Sequence, residues 1–263
     1  MNQKIINKLI MRISRFAVII YPFLVWLLAQ AYFFNPELFY ISLIISTALT
    51  IVLAFILKKP EREVAWWTLA ILPLTFLIAI SVFISLQSSG LLVQALFAAL
   101  FIFLFSYFKN LYYFWSRPDL YREEDFNVIK SYGGFLVVFF AAASLYGLQS
   151  FLNLTIWPMM MIFAAVVLAL SYLNLDVADA NPKTVWQFSV IMTLVITEVA
   201  LVFTLLPLTY SVSAMSVGIL YYLLINLTRL YLQKSLTSKK IKLYLLISSA
   251  GLAIMLLTAR WIN

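Results

Sequence analysis

Glu198 sits in Ile196-Thr197-Glu198-Val199, deep inside an apolar run, and is the only one of the ten Asp and Glu residues so placed. An ionised carboxylate in hydrocarbon is costly, so such a group is protonated, paired or turned to a wet cavity, and it often marks a substrate or proton path. No Lys or Arg lies at matching depth; Arg260, at the far end of the last apolar run, is nearest by level. Gln30, Gln87, Gln94 and Gln149 all map to the outer ends of apolar runs, and with Thr204, Ser211 and Ser213 they can line a polar vestibule. The expected intramembrane polar site is therefore Glu198 with Thr197, Gln94 and Gln149. The competing expectation is structural: a protonated Glu198 bonded to a neighbouring helix, with the glutamines as interfacial caps.

Two further acidic groups occupy connections. Asp176-Val177-Ala178-Asp179-Ala180-Asn181-Pro182-Lys183 places two carboxylates at i and i+3, a spacing that can share one helix face and hold Mg²⁺ against a diphosphate. The Asp176-x-x-Asp179 pair resembles part of the second acidic motif of membrane prenyltransferases of the ubiquinone-biosynthesis type. Those enzymes also have nine helices and carry acidic motifs in the cytoplasmic loops after helices two and six. The resemblance implies a transferase acting on lipid-linked diphosphates, with Asp176 and Asp179 as metal ligands. The chain departs from the motif at the third acid, where Lys183 stands, and after the second apolar run, which offers only Glu61-Arg62-Glu63. A capped turn breaking at Pro182 accounts for the same residues without a metal, and no cofactor is expected. The stretch from Ser116 to Phe126 reads as a short surface helix, with Ser116 as cap, Pro118 in its first turn and Asp119, Glu123, Glu124 and Asp125 as its acids. Those acids could bind a cation or form mixed charge pairs in solvent.

Membrane helices must position all of these groups. Of 263 residues, 65% are apolar and 11% charged, about half the charged share of a soluble protein. A membrane span takes about 20 apolar residues. Nine continuous runs can be read, at 16–34, 38–57, 66–86, 91–114, 133–152, 157–175, 185–206, 211–232 and 243–261. Transmembrane barrel strands alternate apolar and polar residues, and these runs do not. In lipid the backbone must satisfy its own hydrogen bonds, which makes each run a helix. The expected fold is an all-α integral membrane protein, a polytopic bundle of nine transmembrane helices, with residues 16–263 as a single transmembrane domain. Turn chemistry separates the runs at Asn35-Pro36-Glu37, Gln87-Ser88-Ser89-Gly90, Asn153 to Pro158 and Pro207-Leu208-Thr209-Tyr210, while Pro22 and Pro73 fall inside runs and predict kinks. Ala143 with Gly147, and Ser249 with Ala253, are small residues at i, i+4 that predict close helix packing.

Charge sets the expected orientation. With the N-terminus inside, 17 of the 18 Lys and Arg fall on the cytoplasmic side and only Arg260 falls outside, which predicts N-in, C-out. Trp66, Trp67, Trp115, Trp157, Trp186 and Trp261 all lie at run ends, where indole rings favour the interface. Lys4, Lys8, Arg12 and Arg15 recur at spacings of four, four and three beside a stripe of Ile5, Leu9, Ile13 and Phe16, so residues 1–15 read as an interfacial amphipathic helix. With Lys239, Lys240 and Lys242 they form a basic surface for anionic lipid at the cytoplasmic face. Ala29-Gln30-Ala31 resembles a signal-peptide cleavage site, but Pro22 and Trp26 within the run favour an uncleaved first span.

Absences exclude much chemistry. There is no cysteine and no histidine, which removes thiol catalysis, disulfides, histidine-ligated metals and every Ser–His or Cys–His nucleophile pair. The net charge of +8 is accounted for by topology, so nucleic acid is not an expected partner. The favoured reading is a carrier- or permease-like protein of a bacterial cytoplasmic membrane, with the lipid bilayer as its first partner and no enzymatic role. The alternatives are a non-catalytic assembly subunit, in which self-association has a place, and the lipid-diphosphate transferase.

Overall fold

A computed structural model describes residues 3–58, 66–116, 123–176 and 180–259. Among the described residues there are nine α-helices and no strand. They are α1 (Gln3–Phe34), α2 (Phe39–Leu57), α3 (Trp66–Ser85), α4 (Gly90–Ser116), α5 (Glu123–Leu152), α6 (Ile156–Leu175), α7 (Pro182–Thr204), α8 (Tyr210–Leu232) and α9 (Ser238–Thr258). Each is long and apolar enough to cross a membrane.

The ends of these helices follow local capping chemistry. Asn35 closes α1 into a single 3-10 turn, Pro36–Leu38, by accepting the Glu37 N–H at 3.2 Å. Asn181 starts α7 by accepting the Lys183 N–H at 3.0 Å, with Pro182 in the first-turn position whose missing donor costs nothing. Thr237 starts α9 through the Lys240 N–H at 3.4 Å. Helices α1 and α3 run on through Pro22 and Pro73.

Three helices begin well before their apolar runs. Helix α5 starts at Glu123, ten residues ahead of the expected 133. The expected surface helix over 116–126 is not a separate element: Ser116 ends α4, Glu123 to Phe126 open α5, and 117–122 lie outside the described residues. Acidic residues at a helix start are favoured by the helix dipole, so the charges end the hydrophobic run without ending the helix. Helix α9 begins at Ser238, which puts Lys239, Lys240 and Lys242 on its exposed first turns. At the N-terminus, Lys4, Lys8, Arg12 and Arg15 lie on the opening turns of α1, continuous with the first apolar run, while their side chains lie outside the described set.

The chain divides into two compact units, Met1–Ile129 and Lys130–Asn263. In the first, α1 packs on α2 and α4, and α3 packs on α2 and α4, so the four helices close a ring. Its core is aromatic, with Tyr21 edge-on to Phe108 at 5.1 Å and Tyr107 edge-on to the same ring at 5.2 Å. Tyr21 also bonds Thr50, which with Ser42 and Ser46 forms a buried stripe of small polar residues on α2. Pro73 has no N–H to offer the carbonyl of Leu69, its normal partner one turn back, and the Tyr107 hydroxyl of α4 donates to that carbonyl at 2.9 Å instead.

In the second unit α7 lies against α6 and α8, α6 also reaches α8, and α9 packs on α8. Helix α5 joins through interlocked side chains. Gly134 of α5 faces Asn174 of α6 and Tyr221 of α8, while Gly218 of α8 faces Phe135 and Phe139 of α5. Ala143 and Gly147 of α5 are buried, as their small size predicts, whereas Ser249 and Ala253 of α9 are exposed.

Candidate functional site

Each unit carries one end rich in Lys and Arg and an opposite, nearly uncharged end. At the uncharged end of the second unit, the last turns of α5 and α7 meet the first turn of α8. The chain between α5 and α6 turns at Asn153, whose φ of 50° is left-handed, a conformation asparagine tolerates better than most residues. Between α7 and α8 it turns tightly, with the Leu208 N–H on the Leu206 carbonyl at 2.8 Å. A cavity of about 430 Å³ opens between these segments.

Its polar lining comes from Tyr146, Gln149, Ser150 and Asn153 on one side and Thr204, Tyr210 and Ser213 on the other. Tyr146 is locked by its hydroxyl, which donates to the Ala200 carbonyl of α7 at 2.8 Å. Tyr210 stacks edge-on against Phe151 at 5.8 Å. Thr204 donates to the Leu201 carbonyl at 2.6 Å and so presents its oxygen lone pairs and methyl group. Among the described residues, no charged one lines the space. Carboxamide, hydroxyls and aromatic rings around an uncharged cavity suit a neutral ligand that gives and takes hydrogen bonds, and the volume lies within the ~300–1,000 Å³ of small-molecule sites.

The residues expected to act with Glu198 are distributed differently. Gln149 lines the cavity. Gln94, in the first unit, pairs with Gln30: each carboxamide donates to the other, at 2.7 and 3.1 Å. Gln87 donates back to the Phe83 carbonyl at 3.2 Å. Thr197 has a buried hydroxyl with no hydrogen-bond partner among the described residues. Its neighbour Glu198 is exposed and does not line the cavity. One residue step turns a helix by about 100°, so adjacent side chains look in different directions.

Sequence reading missed the polar groups at the basic end of the second unit. Asn226 of α8 accepts from Ser131 of α5 at 2.9 Å and from Arg229 at 3.0 Å. Asn174 of α6 approaches the Tyr221 hydroxyl at 3.5 Å. The available signal was the rarity of Asn within apolar runs. Helix α7 carries a matching inward stripe, with Ser189 donating to Val185 and Thr193 to Ser189, both at 2.8 Å.

Of the acidic connection, Asp176 is exposed just past the end of α6, and Asp179 lies outside the described residues, as do Glu61, Arg62, Glu63 and Arg260. Among the described residues, no three His, Cys, Asp or Glu side chains lie together as a metal site.

A family model described as a protein of unknown function, DUF5656, matches residues 25–258, which takes in α2 to α9 whole and the last turns of α1. The chain belongs to that family. No curated protein and no solved structure matches it. The family match begins inside α1 at Val25, past Lys4, Lys8, Arg12 and Arg15, and it includes every residue of the cavity lining.

Proposed function

We propose that the protein is a carrier- or permease-like membrane protein that takes up a small neutral solute from the side opposite its basic ends. The observation that carries this reading is the uncharged polar cavity of about 430 Å³ at the end of the second unit. In support, 17 of 18 basic residues fall on one side if all nine helices span a membrane, the pattern of the positive-inside rule, and an N-in orientation faces that cavity outward. Gln149 and Asn153 offer amide donors and acceptors, Ser213 and Thr204 offer hydroxyl oxygens, and Tyr146 and Tyr210 offer ring faces. That combination recognises a polyhydroxylated or amide-bearing solute and gives an ion nothing to pair with. The centre of the reading is therefore Gln149 rather than Glu198.

Equilibrium binding and uptake in proteoliposomes, with a panel of labelled neutral sugars, polyols and small amides, test the reading. At least one of them should raise the thermal unfolding midpoint and enter faster than into protein-free vesicles. Gln149→Leu removes one hydrogen-bonding partner, a loss of about 1–1.5 kcal/mol, and should weaken binding roughly five- to tenfold with the unliganded midpoint unchanged. If no neutral solute binds or moves, or if Gln149→Leu leaves affinity untouched, the cavity is not the site.

A further inference from the structure

Helix α7 has one face buried against its own unit and one face that no described residue of that unit covers. On the second face Gln187, Ile191, Leu194 and Glu198 recur at intervals of four, three and four, and all are exposed. This is the alternation of a helix seam that meets another helix, and Glu198 holds the last of these four positions. Side chains around it on the same face are apolar and more than half exposed: Ile191 53%, Leu194 59% and Val202 54%. No described residue bonds Glu198. By rise per residue it lies about 9 Å inside the end of α7 at Thr204. A carboxyl there looks out of an apolar face and has no partner among the described residues.

We infer that this face is where a second copy of the chain packs, α7 against α7, with Glu198 meeting its own counterpart. Copies inserted in one membrane share an orientation, so a closed pair has its twofold axis along the membrane normal. On that axis each residue of the seam meets itself. Glu198 is self-complementary in a way that few charged residues are: one protonated carboxyl donates its O–H to the other, or two protonated carboxyls exchange reciprocal hydrogen bonds. Gln187, three turns nearer the basic end, repeats the arrangement with carboxamides, which donate and accept in the same way. In lipid, where apolar faces gain little by meeting each other, such polar pairs are what favour association and fix its register. The inference goes beyond the solute cavity, whose lining does not include this face.

The chain contains no cysteine, so a single introduced thiol reports on its own surroundings. Full-length Leu194→Cys and Val202→Cys proteins in vesicles should form disulfide-linked dimers on mild oxidation, while Ile196→Cys, whose site is fully buried, should not. Dimer formation should depend on the carboxyl as a hydrogen-bonding group. In the Leu194→Cys background, Glu198→Gln should keep cross-linking near the parent rate, and Glu198→Leu should slow it about tenfold. Energy transfer between separately labelled copies should fall in the same variant, with the thermal midpoint of each monomer as the check on folding. Absence of dimers from both surface cysteines overturns the inference. So does cross-linking to a different protein, or a Glu198→Leu protein that pairs as well as its parent.

Discussion

Gly218→Leu should cost about 3 kcal/mol of stability, the upper part of the range for overpacking a filled interior. The reason is a reciprocal lock between α5 and α8. A Cβ at Gly218 would lie 3.1 Å from Cε2 of Phe135 and 3.4 Å from the Cβ of Phe139. A Cβ at Gly134 would lie 3.0 Å from Nδ2 of Asn174 and 3.4 Å from the Tyr221 hydroxyl. Each helix thus offers a glycine to receive an aromatic ring of the other. The two helices cannot simply part to admit a leucine, because Ser131 bonds Asn226 one end of the seam away and Tyr132 stacks on Tyr222 at 5.7 Å. Thermal unfolding in detergent, or titration with a denaturing detergent, reads the loss. The specific check is Phe135→Ala with Gly218→Leu: if the crowding is as described, the double variant is more stable than the sum of the single losses requires. Strict additivity would mean that Phe135 is not what Gly218 makes room for.

Tyr107→Phe should cost about 1–2 kcal/mol, a large effect for one oxygen atom in a membrane bundle. Pro73 leaves the Leu69 carbonyl without its in-helix donor, and the Tyr107 hydroxyl fills the vacancy at 2.9 Å. Both partners are buried, Tyr107 at 1% exposure and Leu69 at 5%, so water does not substitute. The proline makes the test selective. Pro73→Ala returns an N–H to the turn and lets Leu69 bond within its own helix. In that background Tyr107→Phe should cost markedly less than it does with Pro73 in place. Equal costs in the two backgrounds would show that the hydroxyl stabilises the ring packing or another group, not the carbonyl that the proline releases.

Helix number and most helix ends were legible in the sequence because hydrocarbon requires length and continuity, and both can be counted. The expected run at 16–34 coincides with the apolar part of α1, and 157–175 differs from α6 by one residue. The exceptions share one physical cause. Glu123 to Lys130 and Lys239 to Lys242 are too charged for hydrocarbon, yet they continue α5 and α9 as ordinary helix beyond the apolar run. Level along a helix was legible as well, since Glu198 stands six residues from the end of α7 and Gln149 three from the end of α5. Direction was not. A helix apolar on every side has no hydrophobic stripe to say which face is inside, so Glu198 and Thr197 could be placed at one level but not on their separate faces. The informative marks were smaller ones: Ser42, Ser46 and Thr50, and likewise Ser189 and Thr193, recur at four-residue intervals and face inward. Short hydroxyls that bond back to their own helix can be buried without a partner on another, as Ser189 does to Val185 and Thr193 to Ser189. The cavity was only partly legible, because Tyr146, Asn153 and Tyr210 belong to it through the turns that bring them together.

The Gln30–Gln94 pair has a consequence for the order in which the chain is made. Its halves are 64 residues apart, and at ribosomal speeds of about 5–20 residues per second the first amide is synthesised roughly 3–13 s before the second. During that interval α1 is already a candidate for insertion while its carboxamide has nothing to bond. The position of Gln30 solves the difficulty: it stands one turn from the end of α1 at Phe34, where a glutamine side chain can reach interfacial water. Only when α4 arrives does the amide exchange that water for Gln94. In a membrane, a pair at this level would join the first and last helices of the ring without stranding a polar group in hydrocarbon at any stage, something a pair at mid-membrane could not do.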